Sequence, residues 1–217
     1  MIIGDSMASA IMHICVAKRV NEILKQNEKE LFLGSIAPDI SKQIGESKTK
    51  THFLSNGGDV PELKDFLEKY KDKLKDNAFN LGYYCHLFTD MIWFGLFLKN
   101  YCNFDQTEIK YNNGEVKKAT PELILKILYN DYTNLNIKLI DIYNLDLSLF
   151  YEDCPEIKSE IEEIDTDKLS IIIDKMGLII EESKERKNII FETGPICRFI
   201  DKTAEDFILN LKELGII

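Results

Sequence analysis

The sequence predicts an all-α fold, a single helical domain over residues 1–217 with at most a small β-hairpin near residues 107–117. Three observations carry that reading. Apolar residues recur at helical spacing along nearly the whole chain. No internal repeat, low-complexity tract or Pro/Gly/Ser linker divides it. Asn113-Gly114 is a turn signal that suits a hairpin, because Asn-Gly accepts the left-handed backbone such turns need. At 45% hydrophobic and 29% charged, 217 residues suffice to bury a sizeable core, a balance unlike that of disordered or fibrous chains.

The elements follow in order. Residues 8–25 form a first helix, with His13, Val16, Ala17, Val20 and Leu24 on one stripe. Residues 34–39 read as a loop, since Gly34 and Pro38 punctuate it and Pro38 disfavours helical geometry at Ala37. A polar, basic stretch over 41–50 leads to His52-Phe53 and then Asn56-Gly57-Gly58. A second helix opens with Asp59 as cap and Pro61 in its first turn, then runs on Leu63, Phe66, Leu67, Tyr70 and Leu74. Residues 78–98 form a central helix. Three more follow over about 121–143, 165–184 and 195–214.

Several classes are disfavoured. The net charge of −10 leaves no basic stripe to track a nucleic-acid backbone. Residues 1–12 lack the basic start of a signal peptide, and Asp5 lies among them. The central segment is long enough to span a bilayer but carries His86 and Asp90 near its middle, so a buried core helix is expected. Cys15, Cys85, Cys102, Cys154 and Cys197 are scattered and odd in number, as expected of reduced thiols in the cytoplasm. Cys85 adjoins His86 but points about 100° away from it on a helix.

The chemistry gathers on three histidines. His86 and Asp90 are four residues apart and share one helix face. A carboxylate inside so apolar a helix must be paired or metal-bound, because an unpaired buried charge costs several kcal/mol or forces protonation. Imidazole and carboxylate together suit zinc and similar ions. Taken alone, the pair is more often a buried His–Asp hydrogen bond without a metal, and His13 more often a satisfied core histidine. The ordered set His13, Asp39, His52, His86, Asp90 says more than any pair within it.

That order resembles the zinc-dependent phospholipase C family, whose relatives include the S1/P1-type nucleases. The matching stretches are Met12-His13-Ile14-Cys15, Leu33-Gly34-Ser35-Ile36-Ala37-Pro38-Asp39, residues 47–53, and the run from Leu81 to His86 and Asp90. More closely, the chain resembles a cytosolic bacterial branch of that family, whose usual start aligns near Met7 and makes residues 1–6 an extension. The resemblance implies a phospholipase C/P1 nuclease-like fold and one or two zinc ions, or another divalent transition metal. Asp39, His52, His86 and Asp90 would surround one ion, and Asp90 would bridge to a second held by His13. The ions would act on a small phosphate ester through activated water, with Asp39 also placed as a base.

The departures define the rivals. No histidine follows His86, where the family's secreted members use two more and an acid, and no N-terminal Trp is present. Trp93 and Phe94 lie where a further ligand would be sought. Asp131 is a candidate extra ligand, against the plainer reading of a hydrogen-bonded helix residue. Lys48 and Lys50, with Lys42 nearby, are candidates to hold a substrate phosphate, against the plainer reading of solvated surface. Tyr83, Tyr84, Trp93 and Phe94 read as core. Ser35 lacks the GxSxG frame of a hydrolase nucleophile. A non-catalytic relative that keeps the metal or the His–Asp network to hold its helices together or to bind a partner is the main alternative. A phosphohydrolase of the HD type ranks below it, because no adjacent His-Asp doublet occurs.

Overall fold

The computed structural model describes residues 8–55, 58–105, 107–151, 157, 159–182 and 187–217. The suggested extension over 1–6, Asn56, Gly57, Cys154 and the last two residues of the 165–184 helix lie outside them.

The described chain is mostly helical. Helix α1 (Ala10–Leu24) begins where the Ser9 hydroxyl accepts a hydrogen bond from the Met12 N–H, and ends at Lys25 in the left-handed region. Helix α2 (Glu28–Ile36) is capped by the Asn27 side chain. It overturns the loop expected at 34–39, because Gly34 and Ser35 are helical and only Ala37–Asp39 forms a 3-10 turn. The physical reason is tertiary. A Cβ on Gly34 would lie 2.0 Å from the Phe79 carbonyl oxygen, and one on Gly82 would lie 2.1 Å from that of Leu31. These glycines let α2 and the central helix cross at backbone contact, which offsets glycine's local cost in a helix.

Two single-turn helices follow, α3 (Ile40–Gln43) and α4 (Lys48–Thr51), the second capped by Ser47. The next helix starts later than its sequence signals suggest. Leu54 pairs with Pro61 in an isolated antiparallel bridge, and α5 (Leu63–Tyr70) begins two residues on, without a cap from Asp59. Pro61, having no N–H to donate, sits comfortably in that edge contact.

Helix α6 (Ala78–Ile92) is capped by Asn77 and buried on every face from Ala78 to Asp90, as befits a helix apolar all round. It widens into a π-helical turn at Trp93–Phe97. The hairpin region is a three-stranded antiparallel sheet of β1 (Cys102–Asn103), β2 (Glu108–Lys110) and β3 (Val116–Lys118), in that order. Helix α7 (Pro121–Ile142) has Thr120 as cap and Pro121 in its first turn. Helices α8 (Leu169–Glu182) and α9 (Thr193–Glu213) complete the chain.

Helix α6 packs on α2, while α9 returns to α1 and α6. Tyr83, Tyr84, Trp93 and Phe94 lie in the core, and Tyr83 donates to the Thr51 carbonyl at 2.5 Å. Among the described residues no helix is long and apolar enough to cross a membrane.

Candidate metal centre

Four segments meet at one point. His13 comes from α1 and Asp39 from the turn that Pro38 forces after α2. His52 follows α4 directly, and His86 and Asp90 stand one turn apart on α6. All five side chains are buried, and Asp39 is the most accessible at 5%.

The cluster is tight. His52 Nε2 lies 3.3 Å from Asp39 Oδ1 and 3.7 Å from Asp90 Oδ2. His86 Nε2 lies 3.5 Å from Asp90 Oδ2 and 3.8 Å from Asp39 Oδ1. His13 Nε2 lies 3.4 Å from Asp90 Oδ1, and its ring stacks on that of His86 at 3.8 Å between centroids. Asp90 therefore presents one oxygen to His13 and the other to the His52–His86 side.

Outer contacts set which nitrogen faces inward. His86 Nδ1 is 2.8 Å from the Ser35 carbonyl, which can only accept, so the proton sits on Nδ1 and the Nε2 lone pair points into the cluster. The Thr51 hydroxyl has one proton for three neighbours, the Lys48 carbonyl at 3.2 Å, Ser41 Oγ at 3.0 Å and His52 Nδ1 at 3.0 Å. When that proton goes to Lys48 or Ser41, His52 donates from Nδ1 and its Nε2 is also a lone pair. The two Nε2 atoms stand 3.2 Å apart. Facing lone pairs at that distance repel unless a cation joins them.

A proton on His86 would relieve that repulsion and would also face Asp90 Oδ2 at 3.5 Å and Asp39 Oδ1 at 3.8 Å. Among the described residues, His13 Nδ1 and Nε2, Asp39 Oδ1 and both Asp90 oxygens are buried without a hydrogen-bond partner. Leaving so many polar atoms bare costs about 1–3 kcal/mol each. Two triplets, His13–Asp39–His86 and His52–His86–Asp90, each bring ligand atoms within 4.8 Å of one another, and either can hold a metal ion. Nitrogen and oxygen donors of this kind suit zinc.

Without a metal, the charges adjust to one another. Burial lowers the pKa of His13, with His86 adding to the effect, against the pull of Asp90. Burial likewise lowers His52 despite Asp39 beside it. For His86, burial works downward but Asp39 and Asp90 outweigh it, and its pKa rises. Burial alone would raise both carboxyls; His86 and His52 hold Asp39 below its ordinary value, and His13 and His86 hold Asp90 well below.

The other candidates lie elsewhere. Both oxygens of Asp131 accept backbone N–H bonds from the segment before α9, from Ile189, Ile190 and Phe191 at 2.8–3.0 Å. That is the plainer hydrogen-bonded role, and it occupies the carboxylate. Lys48 lies with its ammonium 5.2 Å over the Phe94 ring, and Lys50 donates to the Glu162 carbonyl at 3.2 Å. Neither is drawn into the cluster, because each has a local partner. Burial pushes the Cys85 thiol up to about 12, a neutral core side chain. Sequence reasoning missed Ser35 and Thr51 as orienting groups. Their signal was present, since each adjoins a quoted motif, but only the fold shows which carbonyl or hydroxyl reaches which ring.

A cavity of about 160 Å³ touches the cluster at Asp39 and is bounded further out by Lys42, Tyr129, Ile172 and Lys175. Residues 7–136 match the family model described as zinc dependent phospholipase C. No curated protein and no solved structure matches the chain.

Proposed function

Since the chain belongs to the zinc-dependent phospholipase C family, we propose that it is a zinc-dependent hydrolase of phosphate esters. Its ligands are then His13, Asp39, His52, His86 and Asp90. The observation that carries this reading is the inward turn of the His52 and His86 nitrogens beside carboxylate oxygens that have no hydrogen-bond partner among the described residues.

The residues also suggest how many ions they serve. His86 Nδ1 is committed to Ser35, so His86 has one lone pair and serves one ion, together with His52, Asp39 and Asp90 Oδ2. His13, neither of whose ring nitrogens is hydrogen-bonded among the described residues, and Asp90 Oδ1 remain for a second. When bound, zinc supplies Lewis acidity toward a phosphoryl oxygen and makes a nearby water more acidic.

The chain's own groups do the rest. Asp39, ionised and nearest the cavity, accepts a proton from the attacking water. The water oxygen bonds to phosphorus, the phosphorus–oxygen bond to the alcohol breaks, and the alcohol leaves with the proton that Asp39 took from the water. His52 and His86, held by Thr51 and Ser35, keep the cluster's geometry fixed through this exchange.

Metal analysis joined to an esterase assay tests the reading. Wild-type protein should bind zinc stoichiometrically and hydrolyse a phosphoester, and Asp90→Ala should lose both. Zinc-free wild type, or unchanged zinc in Asp90→Ala, contradicts it. The absence of histidines beyond His86 favours one alternative, a metal-bearing scaffold without catalysis. Zinc-loaded protein inert on a broad ester panel, yet strongly destabilised by chelation, would select it.

A further inference from the structure

The cavity beside Asp39 indicates what kind of ester the centre takes. We infer that it seats small, water-soluble phosphate esters rather than lipids held in a bilayer, with Lys42 and Lys175 binding the phosphate; this rests on the phosphoesterase reading above. Of the five cluster residues, only Asp39 lines the cavity, so a ligand there meets the centre from that side.

Size comes first. A cavity of roughly 150 Å³ holds a benzene. At about 160 Å³ this one seats a phosphoryl group and a few further atoms, and acyl chains would have to lie outside it.

Charge comes second. The chain carries a net charge of −10, which repels anions at long range. At this cavity, however, α3 contributes Lys42 and α8 contributes Lys175, two ammonium groups from separate elements on one wall system. Lys42 is held in place by Tyr129, lying 4.8 Å over its ring and donating to its hydroxyl. An ammonium so placed acts as a point charge toward phosphate.

Shape comes third. Tyr129, Tyr132 and Ile172 give an apolar wall against which the alcohol carbons of such an ester can lie. The lysines first suggested by the sequence, Lys48 and Lys50, do not line this cavity. The cavity lysines take the role those were expected to fill.

Three measurements on the zinc-loaded full-length protein test this: calorimetric titration with inorganic phosphate, KM and kcat for p-nitrophenyl phosphate, and turnover of dioleoyl phosphatidylcholine vesicles. In Lys42→Met/Lys175→Met, phosphate affinity should fall and KM rise by about tenfold or more, with kcat changed by less than about threefold and zinc content intact. Vesicle lipid should be the poorer substrate at equal phosphate concentration. Unchanged affinity and KM in the double variant, or a preference for vesicles, would overturn the inference. Should the wild type hydrolyse no ester, the phosphoesterase reading fails, and the phosphate titration alone decides the cavity. Binding lost in the double variant then upholds it as an anion seat, and binding absent or unchanged overturns it.

Discussion

At the scale of single residues, the contrast between Asp90 and Asp131 is instructive. Both are buried aspartates on long helices, 1% and 0% exposed. Among the described residues Asp90 has no hydrogen bond and faces only histidine nitrogens at 3.4–3.7 Å, whereas Asp131 accepts from three backbone N–H groups. Asp131→Ala should therefore destabilise the protein by about 3–5 kcal/mol, by stranding buried donors, while zinc content stays the same. Denaturant melts and metal analysis of the one variant check both halves. The pH dependence also has a definite sign. His13 and His52 have folded pKa values below 6.5, so the unfolded chain binds protons first and metal-free stability falls as pH drops below 6.5. His86, raised above 6.5, contributes stability present below 6.5 and lost as pH rises through its folded value. It must also shed its cluster-side proton to bind zinc, so zinc affinity should increase from about pH 6 to pH 8. Competition titration with a chelating dye would show this, and a flat profile would contradict it. The sequence made the five cluster residues legible through their order. It did not reveal Ser35 or Thr51, because their contact with a ring depends on how helices cross.

At the scale of elements, the crossing of α2 and α6 positions the centre. Gly34 and Gly82 bring the backbones together, and this approach lets the Ser35 carbonyl reach His86. Gly82→Ala must push the helices apart, because its Cβ would meet the Leu31 carbonyl at 2.1 Å. A loss of about 2–4 kcal/mol is expected, together with weakened zinc binding. Gly95→Ala, where a Cβ meets nothing within 4 Å, should be neutral or stabilising by up to about 1 kcal/mol. Thermal melts and zinc titrations of the pair separate the two cases. The same glycine explains why α2 was hard to read. In sequence, Gly34 and Pro38 look like loop punctuation, yet Gly34 sits in a helix because its missing side chain is what the neighbour needs. The long helices were legible because their apolar stripes dominate. The one-turn helices α3 and α4 were not, since four residues carry no period.

At the scale of the whole molecule, His13 to Asp90 come from the first 90 residues, and the later helices close around them. Helix α9 packs on α1 and α6, and α7 packs on α1. We propose that residues 1–217 unfold as one domain, and that removing zinc weakens all of it. Chelation should then lower the midpoint of a single calorimetric transition, whereas two separate transitions would argue for independent units. The all-α fold was legible at this scale from periodicity alone. The second half of the chain carried no motif to place Lys175, because the cavity that gives it a role is formed only when α8 meets α3.

Zinc-edge X-ray absorption on the purified full-length protein tests the centre most directly. Histidine and carboxylate ligation predicts scatterers at about 2.0–2.2 Å, with imidazole features that diminish in His86→Ala. A protein that binds no zinc, or a sulfur shell at about 2.3 Å pointing to cysteine ligands, would contradict a centre built on His13, Asp39, His52, His86 and Asp90.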